Sequence, residues 1–408
     1  MDHFAPDNSS GTDVKDQTFI IPLMRMRGKN ATQNVIINPG GPGGSGLAFI
    51  YEIGEALNTI LGEGYHVLSF DPRGVNGSVP KAECYPDEAL RRANARPRYA
   101  ELSRSGEMYA WNKNLARACY DTMGEHAKYI NTPQTAADMN HILDAVGQED
   151  MLYWGFSYGT ILGQTYATMY PERSRRVVID GVANVHDWYS RIDTDRKWVS
   201  DSERVLYGFF DECVKAGPAR CPLATFGDTP EDLRDLVWAR VDETRDQPLS
   251  VYVNNTVYGT FDYANILTNA IFYTLYAPHR SWGPVADQLA GFLKGNATDL
   301  WMDHGRVDFF GTIGEANRFV TFNDAKSGAG YWPQGRQELL DEVATWANQS
   351  RFSLDDLTGF FGRQHIVPQE RVETAHPLLI LTTSYDPVCP IVGAFAARNI
   401  FVGSQIIE

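Results

Sequence analysis

From residue 34 to residue 180 the chain alternates short β-branched apolar runs with stretches of helical periodicity. The runs are 34–38 (NVIIN), 65–70 (YHVLSF), 151–154 (MLYW) and 176–180 (RVVID), and 17–25 (QTFIIPLMR) precedes them as a further strand. Strands that are apolar throughout are buried on both faces, and helices between them supply the crossovers that parallel neighbours need. The pattern therefore predicts a parallel sheet clad with helices. Residues 75–131 are polar and irregular, with helical patches at Asp87–Asn94 and Glu107–Met123. Thr132 as N-cap and Pro133 in the first turn open a helix that carries Ala136, Met139, Ile142, Leu143 and Val146 on one face and stops at Gly147. A further helix is expected over Tyr158–Tyr170.

After Asn184 the alternation stops. Segments 193–216, 230–245, 261–275, 282–294 and 336–348 have helical periodicity, with little strand between them. A buried-strand run returns at 377–383 (PLLILTT). The expected organisation is an α/β core over 1–184, a helical cap over 185–370 and a second part of the core over 371–408.

No apolar run is long enough to span a membrane. The net charge of −15 speaks against nucleic acid, whose phosphates need basic patches. HExxH and closely spaced His/Cys ligands are absent, so no metal or other cofactor is expected.

Gly155-Phe156-Ser157-Tyr158-Gly159 stands between the strand run 151–154 and the helix from Tyr158. The pentapeptide alone is common, but its strand–turn–helix setting is that of a nucleophile elbow. The turn lifts the serine hydroxyl above the sheet edge at a helix N-terminus, where the helix dipole favours developing negative charge. Asn38-Pro39-Gly40-Gly41-Pro42-Gly43-Gly44-Ser45-Gly46 follows another strand. It satisfies G-x-G-x-x-G, yet no acidic residue ends a strand about twenty residues on, as a dinucleotide site requires. The loop also lacks a phosphate-binding lysine. It reads better as an oxyanion loop, with bare N–H groups joined by that of Tyr158. Asp386, after the strand 377–383, stands where an acid that orients a catalytic histidine belongs.

Cysteines occur at 84, 119, 213, 221 and 389, without a CxxC pair. Cys213 and Cys221 are near enough to close a short loop and Cys84 and Cys119 a longer one; five buried thiols is the other reading. Sequons at Asn8, Asn30, Asn76, Asn254, Asn296 and Asn348 favour an extracellular, oxidising setting.

The segments NPGGPGGSG, SFDPRG, YWGFSYGTILGQTYATMYPERSRRVVIDGV and LTTSYDPVCP together resemble the tripeptidyl-aminopeptidase-like and prolyl-aminopeptidase-like α/β-hydrolases, especially secreted fungal and actinobacterial ones. The resemblance is close over 34–84, 131–190 and 376–407 and loose over the cap. It implies an α/β-hydrolase fold and a serine hydrolase that removes short pieces from the amino end of peptides. Ser157 would be the nucleophile, Asp386 the triad acid, and Gly41 with Tyr158 the oxyanion donors. It also implies disulfides Cys84–Cys119 and Cys213–Cys221, with Cys389 left over, and a secreted protein, which the sequons make a glycoprotein. Related fungal proteins act as esterases or tailoring hydrolases, so an ester or lactone is the alternative substrate.

The chain departs from that family at one point. The catalytic histidine should follow the acid, and no histidine follows Asp386. The stretch NIFVGSQIIE resembles the approach to the last strand, and MDHFAPDNSS reads as an interior segment, so both ends look trimmed and the histidine is expected beyond Glu408. A chain without it would be catalytically crippled, and a ligand-binding pseudo-hydrolase is the reading of another class. His186, on the active-site edge after the strand 176–180, is the candidate substitute. His376 precedes its strand at the far edge, and His66 lies within one.

Asp71 and Arg73 are expected to tie down the turn beside the oxyanion loop. Trp188, Trp198, Tyr207, Phe209, Phe210, Tyr273, Tyr276 and Trp282 are expected mainly in the cap core, a few of them lining the substrate pocket. Asp201, Glu203 and Asp211 either bind a substrate ammonium or face solvent; the sequence does not choose. It is silent on oligomeric state.

Overall fold

The computed structural model describes residues 18–94, 105–190, 199–306, 309–325, 350–354 and 371–408, with short pieces at 337–338 and 341. Trp198, His3, His365 and most of the expected helix 336–348 lie outside the described residues.

A seven-stranded sheet runs in the order β1-β3-β2-β4-β5-β8-β9. Its strands are β1 Leu23–Met26, β2 Gln33–Asn38, β3 Tyr65–Phe70, β4 Met151–Phe156, β5 Ser174–Asp180, β8 Leu379–Leu381 and β9 Gln405–Ile407. All neighbours are parallel except β1, which pairs antiparallel with β3 at the edge. The first expected strand is thus only its second half, and Ile20 makes an isolated bridge to Val79. The five strands read as parallel from the sequence do lie parallel in this one sheet.

The side chains of the central strands alternate between two hydrophobic clusters, one on each face. Val35, Ile37, Leu152 and Trp154 pack against Ile50 and Leu57 of α1 (Gly46–Leu61). Ile36, Leu68 and Tyr153 face the other way, onto α4 (Thr132–Ala145) and α5 (Tyr158–Met169). Helices α2 (Glu88–Asn94) and α3 (Ser105–Met123) fall where the sequence places them. The N-cap of α4 is Asn131 rather than Thr132: the Asn131 side chain accepts from Gln134 N at 2.9 Å, and Thr132 takes the first helical position. Thr132 N is thereby left for another acceptor.

After β5 comes the short helix α6 (Val185–Tyr189). Residues 199–306 then build a third cluster, around α7 (Ser202–Ala216), α8 (Pro230–Glu243) and the helix Pro278–Leu293. Two features differ from expectation. An antiparallel hairpin, β6 (Leu249–Asn254) and β7 (Val257–Phe261), stands where no strand is predicted. The expected helix 261–275 is a chain of short α, π and 3-10 turns. A further helix, Phe309–Asp324, packs against the sheet side: Ala316 and Val320 belong to the cluster of α4 and α5. No described helix is long and apolar enough to cross a membrane.

Cys84–Cys119 and Cys213–Cys221 are bonded and Cys389 is free and buried. Loop closure makes the first the larger constraint on the unfolded chain: about 4 kcal/mol for a separation of 35, against about 2.5 kcal/mol for one of 8. Denaturant titrations of Cys84→Ser/Cys119→Ser and Cys213→Ser/Cys221→Ser should show losses in that order.

Candidate active site

Sheet order brings the chemistry-bearing residues to one edge. Strand β4 ends at Phe156, and Ser157 takes φ 54°, ψ −123° before α5 begins. A non-glycine residue at positive φ is strained and needs its surroundings to hold it there. Ser157 N donates to Asp180 O at 3.1 Å, and its carbonyl accepts from Thr160 N at 2.8 Å and Thr160 Oγ1 at 2.6 Å. The turn is so tight that a Cβ on Gly155 would lie 2.4 Å from Gly159 O, which is why the pentapeptide needs glycine there.

The glycine-rich loop after β2 leans on this elbow. Gly40, at φ +90°, comes so close that a Cβ would stand 2.3 Å from Phe156 O and 2.9 Å from Tyr158 N. Asn38 Oδ1 accepts from Gly40 N at 2.9 Å. Among the described residues, no acceptor takes the backbone N–H of Gly41 or of Tyr158. The far end of the loop is fixed by Asp71, which is fully buried. It accepts from Ser45 Oγ at 2.6 Å, Leu47 N at 3.3 Å, Asn76 Nδ2 at 2.9 Å and Gly77 N at 3.0 Å. Ser45 is also the N-cap of α1. Arg73 instead makes a bidentate pair with Asp138 of α4, at 2.6 and 2.7 Å.

Asp386 follows β8. Its Oδ1 accepts from Val388 N at 2.9 Å and Cys389 N at 2.8 Å, and its Oδ2 lies 3.7 Å from the Cβ position of Gly181, just past β5. Three groups sense its charge. Burial first, and Asp386 after it, raise Asp180 from its ordinary value, opposed by the Trp154 Nε1 hydrogen bond at 3.2 Å. Asp201 is raised by the same two causes, against Arg204. Cys389 is pushed up to about 12, by burial and then by Asp386, while a hydrogen bond to Ser157 works the other way. Cys389 therefore joins the two residues: its N–H holds Asp386 and its thiol meets Ser157. The sequence marked it only as the odd cysteine.

No histidine among the described residues hydrogen-bonds Ser157 or Asp386. His66 Nδ1 accepts from Gly28 N at 3.1 Å, His126 packs edge-on against Phe19, and His304 pairs with Gln288 at 3.1 Å. His186 lies on α6, partly buried. Of the acidic candidates beyond residue 184, Glu203 binds Ser350 Oγ and Asp211 pairs with Lys215 at 2.7 Å, which leaves Asp201 as the one close to Asp386. Of the aromatic candidates, Phe209 and Phe210 are core, Tyr207 and Tyr276 are exposed, and Trp188 packs on Tyr158 at 5.2 Å between ring centres. Among the described residues no group of His, Cys, Asp and Glu is arranged to hold a metal ion.

Comparison with known proteins agrees with this architecture. The sequence model of the alpha/beta hydrolase fold matches residues 33–397. Tripeptidyl aminopeptidase of Streptomyces lividans is 28% identical over 392 residues, covering 91% of this chain and 69% of its own length. Serine protease Hip1 of Mycobacterium tuberculosis is 25% identical over 399 residues, covering 91% and 73%. Carboxylesterase B of the same species is 27% identical over 407 residues, covering 94% and 74%. A match spanning β2 to β8, the elbow and Asp386 leaves one assignment: the chain belongs to the alpha/beta hydrolase fold family.

Proposed function

We propose that the protein is a serine hydrolase working through an acyl-enzyme on Ser157. The observation that carries this reading is the strained Ser157 turn with the Gly40–Gly41 loop packed over it. The Ser157 hydroxyl would attack a carbonyl carbon. The oxygen of the tetrahedral intermediate would take hydrogen bonds from the N–H groups of Gly41 and Tyr158, which have no acceptor among the described residues. Loss of the leaving group gives the acyl-enzyme, and water releases the acid. Asp386, held by two backbone N–H groups, would orient a histidine and stabilise its charged form. None of the described histidines hydrogen-bonds Asp386, whose Oδ1 is held by the Val388 and Cys389 N–H groups at the end of β8.

The favoured substrate is a peptide with a free amino end, from which a short piece is cleaved. Two of the relatives carry peptidase names, and Asp201 beside Asp386 offers negative charge for an ammonium group. The second reading is an ester, favoured by the likeness to a carboxylesterase. Tripeptidyl and aminoacyl anilides assayed beside aryl esters separate the two. Anilide turnover that falls when the amino end is acetylated is expected; turnover of esters alone would remove the peptidase reading. An extracellular setting is supported by the two disulfides and by the exposed sequon residues Asn30, Asn254 and Asn296.

A further inference from the structure

The helix Phe309–Asp324 makes polar contacts that a cap helix does not need. Glu315 accepts from Cys84 N. Asn323 Nδ2 donates to Ala127 O at 2.7 Å and Ile130 O at 2.9 Å. Two contacts go further, because they reach the two halves of the candidate oxyanion site. Asn317 Nδ2 donates to Pro42 O at 3.2 Å, on the residue after Gly41. Asp324, fully buried, accepts from Thr132 N at 2.9 Å, from Thr132 Oγ1, and from Trp188 Nε1 at 2.8 Å.

These bonds have a direction. The Thr132 hydroxyl has one hydrogen and gives it to Asp324, so its contact with the Tyr158 phenol must be one in which Tyr158 donates. Burial keeps that phenol protonated, its ionisation pushed well above the ordinary range. The chain Tyr158 to Thr132 to Asp324 fixes one end of the Tyr158 side chain. Trp188, itself held by Asp324, packs against the ring. No cation pairs with Asp324 among the described residues; neutral donors and the N-terminus of α4 carry its charge. Burying an unpaired carboxylate is costly, and a plain packing role would be filled more cheaply by an apolar residue.

We propose that Phe309–Asp324 is a clamp on the oxyanion site, with Asn317 positioning the Gly41 loop and Asp324 positioning Tyr158. The inference rests on the serine-hydrolase reading, since the site it positions is the one assigned there. Neither residue touches substrate; each acts through the backbone N–H it holds in place. A donor displaced by a fraction of an ångström stabilises the transition state less and leaves ground-state binding alone.

The test uses the full-length protein and four forms: wild type, Asn317→Ala, Asp324→Asn and Tyr158→Phe. Asn317 is only partly buried and its truncation removes one hydrogen bond, so it should not unfold the chain. Tyr158→Phe breaks the same hydrogen-bonded chain as Asp324→Asn without altering the carboxylate, so it stands in if Asp324→Asn fails to fold. Each form is assayed for kcat and KM on an aryl ester, for fluorophosphonate labelling rate, and for affinity toward a boronic acid that mimics the tetrahedral intermediate. Each variant should lose about 10- to 100-fold in kcat, in labelling rate and in boronate affinity together, with KM within about twofold. If wild type labels at Ser157 and Asn317→Ala and Tyr158→Phe match it, or if the loss falls on KM, the clamp is wrong and the hydrolase reading stands. If wild type does not label at Ser157, that reading fails and the clamp falls with it.

Discussion

Ser157→Ala is expected to lower kcat/KM by roughly 10⁶-fold in the full-length protein while leaving the melting temperature within a few degrees of wild type. The size of the loss follows from what the residue would supply. Without a nucleophile there is no acyl-enzyme, and only binding and the polarising N–H groups of Gly41 and Tyr158 remain. Removing the hydroxyl does not disturb the turn, because its hydrogen bonds to Asp180 O, Thr160 N and Thr160 Oγ1 are all made by the Ser157 backbone. Alanine bears the same strain at φ 54° as serine, whereas glycine relieves it. Ser157→Gly should therefore be as inactive and somewhat more stable. Steady-state assays and thermal melts of the two variants check both halves. A loss below about tenfold in either would mean that the hydroxyl does not carry the reaction.

The second large effect concerns stability and pH. Burial pushes the Asp324 carboxyl up to about 6 from an ordinary 3.8, with the Thr132 and Trp188 hydrogen bonds opposing the shift. The groups facing it, Tyr158 on α5 and Tyr189 on α6, stay neutral because burial raises both phenols well above their usual values. For a carboxyl raised on folding, the native chain keeps its proton at pH values where the unfolded chain has lost it. Its stabilising contribution is complete below about pH 4 and is lost as the pH rises through about 6. The shift corresponds to about 3 kcal/mol, spread over that window. Asp324→Asn should flatten this part of the stability curve, since an amide does not titrate. Chemical denaturation of both forms at several pH values between 4 and 8 measures the difference. A variant whose stability falls across this range as steeply as wild type would show that another group is responsible.

The parts of this protein legible in its sequence are those written locally. The parallel strands announce themselves because each is an apolar run with a helix on either side. The elbow is legible because Gly155 and Gly159 mark a turn that only close approach explains. The hairpin at 249–261 had a readable signal, since Val and Tyr alternate around an Asn-Asn-Thr turn, but it sits among helices and was masked by them. The helix Phe309–Asp324 was missed for a different reason. Gly311, Gly314, Asn317, Asn323 and Asp324 are poor helix formers, and several face loops of the core rather than solvent, so no polar face and apolar face separate in the sequence. Asp324 meets Thr132 and Trp188 from 192 and 136 residues away, and nothing local couples them. Cys389 is the same kind of case. As a residue type it reads as a leftover thiol, and only the return of the chain at β8 brings it against Ser157.

The most direct test of the account is to find which atom acts as the nucleophile. The full-length protein is treated with a fluorophosphonate, and the adduct is located by intact mass and peptide mapping. The account predicts one adduct per chain, on Ser157, blocked by a preceding boronate and absent from Ser157→Ala. Cys389 is the alternative nucleophile within reach, but its thiol is held protonated at neutral pH and should remain unmodified. An adduct on Cys389, or hydrolysis that proceeds with Ser157 never labelled, would contradict it.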